Sequence, residues 1–297
     1  MRHQSAIALL ISVLSLAFGI ASAQEKAIKK DSTAPKKSHW DVGLTYQNND
    51  VYLGRRDSMA IPYLSPSFGY HDKSGFFFTA SASYLLSPGQ NRIDAGSIEG
   101  GYSYESDHFS TEITAAKDFF SDQSFAVNSE ILGRLSGHFS YDFGPIEPFA
   151  DIDANFSGTT DIAFGFGAEH SFSIIDNVLE IDPAAHINLA SQNFYNGYYS
   201  KRRYSPNRKN SNPASSVAAA IANASKIQLM DYELEAPIEY KWQKRLKLNF
   251  TPTLAIPENP ASVTLTTKSA GGKSTTQTST ESLGSVFYFS VAITYTL

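Results

Sequence analysis

The chain has 297 residues, with 24 basic and 29 acidic side chains for a net charge of −5, and it contains no cysteine. The acidic balance excludes a nucleic-acid surface, which needs clustered Lys and Arg. The lack of cysteine excludes a disulfide framework and thiolate zinc sites.

Arg2 and His3 precede an apolar run from Ala6 to Ile20, and Ala21-Ser22-Ala23 follows as a small-x-small triplet. That combination reads as a secretory signal over residues 1–23, cleaved before Gln24. The apolar run is shorter than the roughly 20 residues a membrane helix needs. Cleavage removes Arg2 and no acid, so the mature chain is one unit more acidic. Residues 24–38 are polar and Lys-rich without apolar periodicity, and read as a flexible leader.

From Trp40 onward the pattern has period two, the signature of strands with one apolar and one polar face. The first segment sets Trp40, Val42, Leu44 and Tyr46 against Asp41, Gly43, Thr45 and Gln47. The second, 59–70, carries Ala60, Leu64, Phe68 and Tyr70 and is interrupted by Pro62 and Pro66. The third sets Phe76, Phe78, Ala80, Ala82 and Tyr84 against Phe77, Thr79, Ser81 and Ser83. The fourth, 93–104, contains Glu99, and the fifth sets Ile113 against Glu112. The sixth opposes Leu135 and Phe139 to Arg134 and His138, and the seventh Ile152 and Ala154 to Asp151 and Asp153. The eighth alternates Phe164, Phe166 and Ala168 with Glu169, and the ninth Ile181 and Ile187 with Glu180 and Asp182. The tenth sets Tyr232 and Leu234 against Asp231, Glu233 and Glu235, and the eleventh Leu246, Leu248 and Phe250 against Lys247. The last runs from Phe287 to Leu297, with Phe289, Val291, Ile293 and Tyr295 on the apolar side.

Each segment is close to the ~9–11 residues of a tilted membrane strand. Connections at 71–75, 105–108, 144–147, 173–177 and 241–245 are short. Those near 49–58, 86–92, 118–128, 190–226 and 257–283 are long, and 157–161 alone breaks the alternation. Trp40, Tyr70, Tyr84, Tyr102, Tyr104, Tyr141, Phe143 and Trp242 cluster at strand ends, as interfacial aromatics do. These features predict an all-β fold, an antiparallel up-and-down transmembrane β-barrel of about 12 strands over residues 39–297. An even strand number places both termini, and the leader, on the periplasmic side.

The final run VFYFSVAITYTL resembles the C-terminal signal of Gram-negative outer-membrane barrels, with Phe289 and Tyr295 in pattern and Leu297 replacing the usual terminal Phe. The resemblance implies export to the outer membrane, contact with its lipid and recognition by the barrel-insertion machinery.

The polar faces would line the lumen. They carry Glu99, Glu112, Asp151, Asp153, Glu169, Glu180, Asp182, Asp231, Glu233 and Glu235 against the bases Arg134 and Lys247. Such acids favour cations, so the expected function is a porin-like channel for small cationic or neutral solutes. The alternative is a closed barrel acting as envelope scaffold or surface-binding protein. In the 190–226 loop, Tyr198, Lys201, Arg202 and Arg203 form an aromatic and basic run able to bind an anionic ligand. Residues 214–224 suggest a short helix folding into the lumen, and 266–282 a mobile Thr/Ser-rich segment.

His71-Asp72-Lys73-Ser74-Gly75 resembles the His-x-Ser-Asn-Gly pattern of outer-membrane phospholipases, with the Ser displaced by one and the Asn missing. From the residues alone it reads as a hairpin turn with Gly75 at positive φ, and the chain reads as a non-enzyme without cofactor or metal. Val51-Tyr52-Leu53-Gly54, ahead of a Pro-containing strand, is similar to the scaffold barrels that bind peptidoglycan-processing enzymes, over those four residues.

Overall fold

The computed structural model describes residues 37–176, 178–203, 216–243, 245–268 and 272–297. The signal segment, most of the leader and the basic residues Arg208 and Lys209 lie outside them.

Alternating faces become strands along the whole described chain. In order these are β1 (His39–Gln47), β2 (Tyr63–His71), β3 (Phe76–Leu85), β4 (Arg92–Glu105), β5 (Phe109–Phe120), β6 (Gly133–Tyr141), β7 (Glu147–Phe156), β8 (Thr160–Glu169) and β9 (Phe172–Ile175). They continue with β10 (Leu179–Ile181), β11 (Ala184–Ala190), β12 (Ser216–Ile221), β13 (Gln228–Glu235), β14 (Ile238–Trp242), β15 (Leu246–Pro257), β16 (Ser262–Lys268), β17 (Ser274–Thr280) and β18 (Val286–Thr296). Strands β1 to β8, β11, β13, β15 and β18 pair antiparallel in that order, and β18 returns to β1 from Asp41–Thr296 to Gln47–Ser290. The ring is a closed 12-strand barrel. Closure leaves none of the twelve ring strands as a sheet edge, which lets so apolar a set of strands avoid sheet-to-sheet aggregation.

Strands β9, β10 and β14 prolong the lines of β8, β11 and β13 towards the short-turn end. Prolines explain the breaks. Pro183 and Pro237 have no N–H to donate to the ladder. Their carbonyls still accept, from His170 N–H at 3.2 Å and Asp182 N–H at 2.9 Å, and Ala236 N–H reaches Pro252 O at 3.2 Å. One interruption therefore runs sideways across neighbouring strands. Pro66 opens a smaller gap between β2 and β3, where Ser65 Oγ donates to Ser83 Oγ at 2.8 Å instead.

Alternation puts Val42, Leu44, Phe68, Phe78, Ile113, Leu135, Phe139, Ile152, Phe166, Val291 and Ile293 on the outside, all exposed. So continuous an apolar belt is suited to lipid rather than water. At its short-turn rim stand Trp40, Tyr102, Tyr104, Tyr141, Phe143 and Trp242, also exposed, with Tyr70 packed on Trp40 at 4.5 Å between centroids.

Buried apolar residues gather at the long-loop end instead. Val127, Ile131, Phe194, Tyr195, Tyr198, Tyr199, Ile221, Ala224, Ala261 and Val263 form one cluster built from three connections of the ring. A small sheet, β12–β16–β17, supplies part of it. Two expectations are corrected here. The helix expected at 214–224 is strand over Ser216–Ile221. The Ala-rich run favours helix by propensity, but Val217, Ala219 and Ile221 pair with Thr267, Leu265 and Val263, and burying Ile221 with Val263 decides the outcome. The segment read as mobile, 266–282, is largely a hairpin of β16 and β17, laced by Thr264–Thr278 at 3.0 Å between hydroxyls.

Candidate functional site

The inner wall is built row by row from the register. Ser103, Glu112, His138, Asp151, Gly165, Asn188 and Asp231 are successive cross-strand partners, so their side chains share one face. A second row runs Gly101, Thr114, Ser136, Asp153, Ala163 and Ala190. A third, nearer the short turns, runs Glu147, Glu169, Ala184, Glu235 and Thr253. A row through Glu99, Ala116, Arg134, Asn155 and Asp161 lies towards the long loops.

Several of these acids are paired. Arg134 grips Asp118 through two bonds, Nε to Oδ2 at 2.8 Å and Nη2 to Oδ1 at 3.2 Å, a fork geometry that fixes the guanidinium. His138 Nδ1 meets Asp151 Oδ1 at 2.7 Å, and His186 Nε2 meets Glu233 Oε2 at 3.1 Å. Lys241 Nζ bridges Glu180 at 2.9 Å and Glu239 at 3.1 Å, and Lys247 approaches Glu239 at 3.8 Å. Lys241 was missed in the sequence because it was assigned to a turn. Its alternation with Tyr240 and Trp242 carried the signal.

A plug descends from the β1–β2 connection. Tyr52 and Arg55 exchange backbone hydrogen bonds at 2.8 and 3.0 Å around Leu53 and Gly54, both at positive φ (50° and 71°). Two left-handed central residues define a tight primed turn. Gly54 is required there, since a Cβ would lie 2.8 Å from Asp231 Cβ. Behind the turn, the buried Arg55 guanidinium donates to the carbonyls of Leu53 (2.9 Å), Met230 (3.1 Å), Glu258 (2.9 Å) and Asn259 (3.1 Å). Tyr52 and Leu53 then form the loop-side wall of a cavity of about 210 Å³, whose barrel side is Arg134, Asp151, Asp153, Asn155, His186 and Asn188.

Residues 190–203, the first described part of the 190–226 loop, pack against their neighbours. Asp161 accepts from Ser191 Oγ (2.7 Å), Asn193 N–H (2.7 Å) and Phe194 N–H (2.9 Å), which anchors a helical turn at Phe194–Gly197 and a wider one at Tyr198–Arg203. Tyr198 is buried and donates to Asp57 at 2.7 Å. Arg202 donates to Glu130 at 2.9 Å and Ser121 O at 2.7 Å, Lys201 reaches Glu130 at 2.7 Å, and Arg203 lies over the Tyr199 ring. Tyr198 and Tyr199 are buried, Arg202 is held between Glu130 and the Ser121 carbonyl, and Lys201 remains exposed beside Glu130.

The HDKSG segment is a turn. Ser74 Oγ donates to Asp72, Gly75 has φ +103°, and a Cβ there would strike Ser103 O. Asp72 lies well below the usual carboxylate range because the Ser74 hydroxyl and N–H and the Ser38 hydroxyl all donate to it. His71 points away from Ser74, to Asp41.

No family model and no curated protein sequence matches the chain. Among solved structures, the KdgM porin is similar at 10% identity and TM-score 0.43, over 88% of this chain and 99% of that one. The NanC porin is similar at 9% identity and TM-score 0.45, over 87% and 100%. Salmonella typhi OmpF is similar at 9% identity and TM-score 0.33, over 89% and 98%. At these values the likeness decides nothing finer. The barrel stands on its own pairings.

Proposed function

We propose that the protein is an outer-membrane, porin-like channel whose acidic lumen passes small cationic or neutral solutes. One observation carries the reading: a single strand ring presents an exposed apolar belt outward and rows of carboxylates inward, around a cavity. A barrel wall of that kind separates lipid from an aqueous, charged path, and carboxylates at close range lower the energy of cations there. In this reading Phe289 and Tyr295 on the outer face of β18, with Leu297 just after it, are read by the barrel-insertion machinery, and the short turns face the periplasm.

Single-channel recording of the refolded mature protein across a salt gradient tests the proposal. Steady conductance with a cation-selective reversal potential is expected. Replacing Asp151, Asp153, Glu233 and Glu235 by their amides is expected to move that potential towards zero. No conductance from correctly folded, heat-modifiable protein would reject the channel.

The second reading, a closed barrel acting as scaffold, is favoured by the loop core over the long-loop end. It predicts no conductance and retention of a periplasmic partner by the immobilised barrel.

A further inference from the structure

At the short-turn end, apart from the acidic rows, a second constellation faces inward. His39 opens β1 and Asp41 follows two residues later on the same face. His71 ends β2 and is the direct cross-strand partner of His39, so its imidazole joins that face. The two rings stack with centroids 5.1 Å apart and planes 11° apart. Both aim at one oxygen: His39 Nε2 lies 3.3 Å and His71 Nε2 3.4 Å from Asp41 Oδ2. The three donor atoms all lie within 4.8 Å of one another.

Neighbouring groups orient this set. Thr296 Oγ1, from β18, donates to Asp41 Oδ1 at 2.7 Å, which turns Oδ2 towards the imidazoles. His39 Nδ1 lies 3.0 Å from the Lys37 carbonyl. A carbonyl oxygen only accepts, so Nδ1 carries the proton. In a neutral imidazole the Nε2 lone pair then faces Asp41. A lone pair and a carboxylate oxygen at hydrogen-bond range repel unless positive charge lies between them. Tetrahedral zinc with donors at 2.0–2.1 Å holds neighbouring donors about 3.3 Å apart, which matches the two imidazole-to-carboxylate spacings. An Nδ1–H bonded to a backbone carbonyl, and a carboxylate whose second oxygen is hydrogen-bonded, are the outer contacts that orient metal ligands.

We propose that His39, Asp41 and His71 bind a divalent transition-metal ion, zinc in the first instance, with a fourth position open to solvent. The donor set excludes calcium and magnesium, which take oxygen, and contains no thiolate to favour softer ions. The histidine side chains are 37% and 43% exposed, which leaves an approach for the ion and for a water ligand. Because β18, β1 and β2 all contribute, the ion fastens the seam where the last strand meets the first.

The test uses untagged mature barrel refolded in detergent, stripped with chelator and titrated calorimetrically with zinc chloride. One saturable site per chain is expected. It should be lost in His71→Ala, weakened about 10–100-fold in Thr296→Val, and kept in His108→Ala, a turn histidine at the same end. Heat-modifiability confirms that each variant is folded. X-ray absorption at the zinc edge of loaded wild-type protein needs no variant, and two imidazoles with one carboxylate are expected. No saturable binding, binding unchanged in folded His71→Ala, or a zinc shell without two imidazoles overturns the proposal.

Discussion

Tyr198 donates its phenolic hydrogen to Asp57 at 2.7 Å, although 141 residues separate them. This bond ties the helical turn after β11 to the connection that carries the plug. Both groups are buried, and burial pushes the Tyr198 phenol well above its ordinary range, with Asp57 adding to the effect. The phenol therefore remains a donor. Tyr198→Phe is expected to loosen the cap by about 1–3 kcal/mol, since it takes a donor from a buried carboxylate. Faster proteolysis within residues 48–62, with the barrel itself still heat-modifiable, would report the loss. Unchanged cleavage would mean that the bond is not a latch.

Arg55 is the stronger latch. Four carbonyls from three stretches of chain converge on its guanidinium. Lysine offers three donors from one point rather than a planar fork, so Arg55→Lys is expected to free the plug partly and Arg55→Ala fully. In bilayers, single-channel conductance should rise in that order. Equal conductance in all three proteins would remove Tyr52 and Leu53 from the permeation path.

Arg134 is the base that stands against the cavity, pinned by Asp118. Arg134→Gln removes positive charge beside Asp151 and Asp153 and is expected to increase cation preference. Asp118→Asn should act the other way. Reversal potentials under one salt gradient check both signs.

Asp50, in the plug connection, has its carboxyl pushed up to about 6 by burial, with Asp94 adding repulsion, and Oδ2 is sealed from solvent without a hydrogen bond. The folded pKa exceeds the unfolded one, so the folded loop binds more protons between about pH 4 and 6. Its stability is greatest below that window and falls as pH rises through it, by at most about 3 kcal/mol. The plug is therefore expected to tighten on acidification, and conductance to fall below about pH 6. Asp50→Asn should abolish that pH dependence.

Trp40 and Trp242 are the two tryptophans of the chain, both exposed on the outer face at the short-turn rim. In vesicles of lipid brominated near the headgroup, strong quenching of both is expected. Quenching no greater than in unbrominated vesicles would contradict a lipid-facing rim.

The sequence by itself determined the wall. Period-two alternation is local, because it follows from the pleat of one strand, and each of the twelve segments from Trp40 to Leu297 could be read without knowing its neighbour. Strand parity and the short turns follow equally locally. Tertiary structure decided what fills and caps the ring. The pairing of Arg134 with Asp118 depends on which strands lie side by side. The burial of Tyr198 depends on the Asp57 connection, and the strand state of Ser216–Ile221 depends on Val263 and Leu265. His39 and His71 are far apart in the sequence, and only the β1–β2 register brings their nitrogens to one carboxylate. Contacts of that kind join residues far apart in the chain. Their partners are chosen by burial and charge in three dimensions, and no periodicity along the chain records the choice.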